Sequence, residues 1–70
     1  MNQTLVFNTT TKTVRLYGGR LENSEILFSY DNVPTVAIRD GFYEVMQKEN
    51  ELSYPVLRTP IANTNMKIIK

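Results

Sequence analysis

The stretch Thr35-Val36-Ala37-Ile38-Arg39-Asp40-Gly41-Phe42-Tyr43-Glu44-Val45 carries the strongest structural signal in the chain. Val36 and Ile38 alternate with Ala37 and Arg39, and Tyr43 and Val45 stand on either side of Glu44. A period of two belongs to a strand with one face on a core. Asp-Gly between two such runs favours a two-residue type I′ turn, because both central positions need positive φ. That turn sets a register. Arg39 stands opposite Phe42, Ile38 opposite Tyr43, Ala37 opposite Glu44, and Val36 opposite Val45. Val36, Ile38, Tyr43 and Val45 then share one face, and a slip of one residue would turn a whole strand over. A competing reading has Asp40 cap a helix from Phe42 to Leu52, with Phe42, Val45 and Met46 on one stripe. Agreement between the turn chemistry and the face pattern favours the hairpin.

The flanking sequence reads the same way. Residues 4–8 and 13–17 suit a second hairpin across the polar turn Thr9 to Lys12, with Val14 and Leu16 on one face. Gly18-Gly19 ends that run, as expected if glycine supplies positive φ. A polar connection around Leu21 leads to a strand at 25–30, with Ile26, Phe28 and Tyr30 on one face and Leu27 on the other. Asp31 to Pro34 is a loop. Residues 48–51 form a charged turn, and 54–58 form a short strand that Pro55 confines to an edge or a bulge. Residues 59–65 are turn-rich with room for one tight helical turn, and the segment 55–65 is expected to plug the open end of a barrel. Met66 to Lys70 is a last strand whose lysines would blunt an exposed edge. These signals predict an all-β fold, a small antiparallel barrel or curled sheet of five or six strands. An SH3-like barrel is the first choice and an OB-like one the second. Residues 1–70 read as one small β domain.

Composition narrows the chemistry. The 70 residues hold no histidine, cysteine or tryptophan, and eight basic against seven acidic residues give a net charge of +1. That balance provides no strong field toward nucleic acid or an anionic membrane. Without histidine or cysteine there is no thiol nucleophile, no Ser-His-Asp triad and no common zinc ligand set. The carboxylates Glu22, Glu25, Asp31, Asp40, Glu44, Glu49 and Glu51 are scattered among strands and turns. No pair has a spacing that places two at one reacting centre. Gly18-Gly19 lacks the spacing and the Lys-Ser/Thr ending of a phosphate loop. The expectation is therefore a non-catalytic chain with no cofactor and no metal. No apolar run is long enough to span a bilayer, and Met1 to Thr10 lacks a leader pattern. A cytoplasmic location and no membrane partner are expected. Asn2-Gln3-Thr4 and Asn8-Thr9-Thr10 match the glycosylation acceptor by chance in a threonine-rich segment.

With no reacting centre legible, surfaces carry the functional reading. Leu27 lies opposite Ile26 and Phe28, and Phe42 and Met46 lie opposite Tyr43 and Val45. Strands with one solvated face usually alternate more strictly. Leu27, Phe42 and Met46 are therefore the candidate contact residues for a protein partner or a second copy of the chain. Leu5, Val6 and Phe7 suggest a terminal edge strand able to join another subunit's sheet. The alternative is a nucleic-acid-binding barrel using Arg15, Tyr17 and Arg39. Cysteine-free chains of this size are common among phage and mobile-element products. Modulation of a host protein, or service as a minor assembly component, is the expectation that follows from that prior.

Overall fold

The computed structural model describes residues 2–20 and 24–70. Seven strands run through them: β1 (Gln3–Asn8), β2 (Thr13–Tyr17), β3 (Ile26–Tyr30), β4 (Thr35–Arg39), β5 (Phe42–Glu49), β6 (Leu52–Pro60) and β7 (Thr64–Ile69). A single 3₁₀ turn, Ile61–Asn63, links the last two. The strands form two sheets, ordered β3-β2-β1-β7 and β4-β5-β6. The expected all-β class holds. The fold is not a closed barrel, and it has seven strands instead of five or six. The connection around Leu21 and the carboxylate Glu22 lie outside the described residues. Among those residues no helix is long and apolar enough to cross a membrane.

The Asp-Gly hairpin forms in the expected register, with Arg39 opposite Phe42 and Val36 opposite Val45. Asp40 and Gly41 have φ of 53° and 81°, as a type I′ turn requires. The helix alternative for 42–52 is thereby excluded, since β5 continues as a strand to Glu49. Lys48 and Glu49 end that strand, and only Asn50 and Glu51 make the turn into β6. Pro55 sits where the β5–β6 register shifts, on an edge strand, the two places where a missing N–H is tolerated. The segment 55–65 has no barrel end to plug. It carries the chain from one sheet to the other.

The chain ends produce the largest departure from expectation. β7 returns to lie parallel to β1, pairing Leu5 with Met66 and Phe7 with Ile68. The sheet is therefore mixed, and β1 is internal. Both edges of β1 are occupied, one by β2 and one by β7. This corrects the expectation of a terminal strand free to join another subunit. Apolar residues on both faces of β1 mark a central strand. Leu5 and Phe7 enter the core, and Val6 lies on the outer face between its neighbours Arg15 and Lys67.

The core lies between the sheets. Leu5, Phe7, Val14 and Leu16 come from the four-stranded sheet, Val45 from the other, and Val33 from the loop between β3 and β4. Tyr30, Val36, Tyr43, Val56, Leu57 and Met66 close it at the margins. A buried polar chain ties the layers at the 3₁₀ corner. Thr59 on β6 donates to the Gln3 side-chain oxygen at 2.9 Å. Its single proton is then committed, so Thr64 on β7 donates to Thr59 at 2.8 Å.

Candidate functional site

β3 is the least protected element of the fold. It ends the four-stranded sheet and, among the described residues, is bonded to β2 on one side only. Ile26, Leu27 and Phe28 are 47%, 41% and 48% exposed. A bulge interrupts the start of this strand. The β2–β3 register shifts so that Leu16 opposes Phe28 and Tyr17 opposes Ile26, leaving Leu27 unpaired between them. Opposed residues share a face, so Phe28 leans toward the core with Leu16. Ile26 turns outward with Tyr17. Strict alternation predicts Ile26 and Phe28 on one face, and the bulge separates them. Leu27 packs over the backbone of Gly18, where an added Cβ would stand 3.5 Å from its side chain. Phe28 stacks on Tyr30, with ring centroids 6.3 Å apart.

Edge strands are normally blunted by lysine, proline or charge. Three of the four edges follow that rule. β7 carries Lys67, β6 carries Pro55, Arg58 and Pro60, and β4 follows Pro34 and ends in Arg39. β3 reads Ile26-Leu27-Phe28-Ser29-Tyr30, with no such residue. Its bulge lies at the first turn of the strand and leaves Phe28 to Tyr30 in regular register. Exposed carboxylates flank the strand, Glu25 before it and Asp31 after it.

The other candidate contact residues do not join Leu27. Phe42 and Met46 belong to the second sheet, half-buried on its outer face. Glu44 separates them along β5, only 8% exposed, and Arg58 opposes it on β6 with a 3.0 Å ion pair. The Arg58 guanidinium also lies over the Phe42 ring, 4.4 Å from its centroid. Phe42 is thus capped by a cation and not open as an apolar contact. The pairing of Glu44 with Arg58 is not legible in the sequence. Only the register of β5 against β6 brings them opposite one another, and no local pattern reveals it.

The nucleic-acid residues are likewise dispersed. Arg15 and Tyr17 line a shallow groove of about 460 Å³ on the outer face of the four-stranded sheet, with Val6, Asn8, Thr11, Thr13 and Ile69. Tyr17 is only 8% exposed, which leaves little of its ring for a base to stack on. Arg39 lies on the other sheet, beside Asp40 at 4.0 Å. No group of three or more acidic residues suited to a metal ion occurs among the described residues. Tyr54 donates to Glu49 at 3.3 Å. Desolvation, the Glu49 charge and that hydrogen bond hold its phenol above the ordinary tyrosine value.

Comparison with protein-family models, with curated proteins and with solved structures finds no match to this chain.

Proposed function

We propose that the chain is a non-catalytic protein-binding module that takes an extended segment of a partner onto the free edge of β3. The observation that carries this reading is the unblunted edge itself, with Ile26, Leu27 and Phe28 exposed along it. Strand addition satisfies the open backbone groups, and pockets for alternate side chains give specificity. The flanking Glu25 and Asp31 favour a partner segment that is apolar at its centre and basic at its ends. A second copy fits less well. Antiparallel self-pairing centred on Phe28 sets Glu25 against the other copy's Asp31, and opposed like charges destabilise a ladder.

Selection from a random peptide library against the intact chain tests this reading. The expected result is enrichment of alternating apolar peptides with basic flanks. Their binding should protect the amides of residues 26–30 from hydrogen exchange. Ile26→Lys, which imitates natural edge protection at an exposed position, should abolish binding and keep the dispersed amide spectrum. Peptides that bind Ile26→Lys as well as the unmodified chain would overturn the proposal. So would binding of oligonucleotides alone, with affinity falling steeply as salt rises.

A further inference from the structure

One end of the molecule holds a second feature, separate from the β3 edge. An open cleft of about 420 Å³ is lined by Lys12, Asn32, Pro34, Lys48 and Asn50. That volume admits a small molecule. The five residues come from the β1–β2 turn, the β3–β4 loop and the end of the β5–β6 hairpin. Two are cationic, two carry carboxamides, and none is a carboxylate.

The backbone brings the two lysines together. Val33 N donates to Lys12 O at 2.9 Å, and Lys48 N donates to Asn32 O at 3.0 Å. Lys12 and Lys48 are thus bonded to the same dipeptide, Asn32-Val33. Each hydrogen-bonded step spans about 4.8 Å, so the two side chains spring from points roughly 10 Å apart. Two extended lysine side chains are together long enough to span that separation. The dipeptide between them is rigidly held, because Val33 is fully buried in the core. Among the described residues neither lysine has an ion-pair partner. Glu49, the nearest acidic residue in sequence to Lys48, accepts the Tyr54 hydroxyl.

Local backbone cost points the same way. Lys12, Asn32 and Asn50 all have positive φ, at 61°, 55° and 51°. Asparagine suits that conformation. Lysine suits it poorly, and glycine or asparagine would turn the chain there with less strain. A lysine held in that conformation at the lining of a cleft is an observation that leads toward function.

We infer that this cleft binds a phosphate-bearing small molecule. The Lys12 and Lys48 ammonium groups would clamp the phosphate oxygens, the Asn32 and Asn50 carboxamides would donate hydrogen bonds, and Pro34 would support the apolar part of the ligand. Ammonium-to-phosphate bonds are charge-assisted and lead the affinity.

Amide-resolved NMR titration of the full chain at low ionic strength is the test, with sodium pyrophosphate and ADP as probes. Saturable shifts are expected at Lys12, Val33 and Lys48. Lys12→Gln and Lys48→Gln should each weaken binding about tenfold, in keeping with the loss of one charged hydrogen bond. The double variant should bind neither probe. Both lysines are exposed, so these variants retain the fold, and a dispersed spectrum verifies it. Tighter binding of ADP than of pyrophosphate identifies a nucleotide as the source of the phosphate. Equal affinity identifies the diphosphate group alone, and either result supports the site. Absence of saturable shifts would overturn the inference. Undiminished binding by the double variant, or binding only of oligonucleotides with affinity growing with length, would do the same.

Discussion

Gly41 and Gly18 differ in what they do for the backbone. Gly41 occupies the second position of the β4–β5 turn with φ of 81°, and a Cβ there would meet no atom within 4 Å. Space is not the constraint, because the left-handed backbone is costly for any residue with a Cβ. Gly41→Ala should therefore lower stability by about 1–2 kcal/mol, read as a shift in the urea midpoint with an unchanged slope. Gly18 and Gly19 were expected to end β2 through positive φ. Among the described residues Gly41 is the only glycine in that region. β2 does end at Tyr17 as expected, but without a positive φ at Gly18, whose N–H still donates to Glu25 O at 2.8 Å just beyond the strand. A methyl on Gly18 would reach ordinary contact with Leu27, so Gly18→Ala should change stability by less than about 0.5 kcal/mol. A larger loss at Gly18 than at Gly41 would contradict this assignment.

The two hairpins of the second sheet show how much a turn's residues reveal about an element. Asp-Gly announces the β4–β5 turn, and its register followed directly. The β5–β6 turn is built from Asn50 and Glu51, with φ of 51° and 73°. Glutamate is a poor choice for that backbone, which is why the same turn geometry was illegible there and read only as a charged loop. Replacement by the residue the geometry favours should correct the strain. Glu51→Gly is expected to stabilise the chain by about 1 kcal/mol, measured by thermal or urea unfolding. A destabilised variant would show that the Glu51 side chain makes a compensating contact. The bulge at Leu27 was illegible for a related reason. A bulge inserts one unpaired residue, and an apolar run such as Ile26-Leu27-Phe28 carries no mark of which residue that is.

At the scale of the whole molecule, the two sheets share one thin core and one buried polar seam. Thr59 lies at the centre of the seam, 2% exposed and hydrogen-bonded to residues of β1 and β7. Thr59→Val conserves shape but removes the hydroxyl, leaving Gln3 and Thr64 without it. The expected cost is about 2 kcal/mol. The exposed Thr11–Thr13 pair, 2.8 Å apart, provides the control. Thr11→Val should cost less than about 0.5 kcal/mol, since water replaces the lost bond. Equal effects at the two sites would mean that the seam does not hold the layers together.

The sequence by itself determined the approximate positions of most strands, the Asp40-Gly41 turn and the register across it. Those properties rest on neighbours a few residues apart: the period of two, turn chemistry and the placement of proline. It also determined that the side chains of a triad or a cysteine–histidine metal site are missing. Tertiary structure decided what those strands meet. The parallel pairing of β1 with β7, the ion pair of Glu44 with Arg58, and the approach of Lys12 and Lys48 to one dipeptide all join distant segments. Their geometry depends on the path of the whole chain, and no local pattern encodes it. For that reason Leu27 lies on one sheet and Phe42 and Met46 on the other, and the surface features left open are the edge of β3 and the lysine cleft.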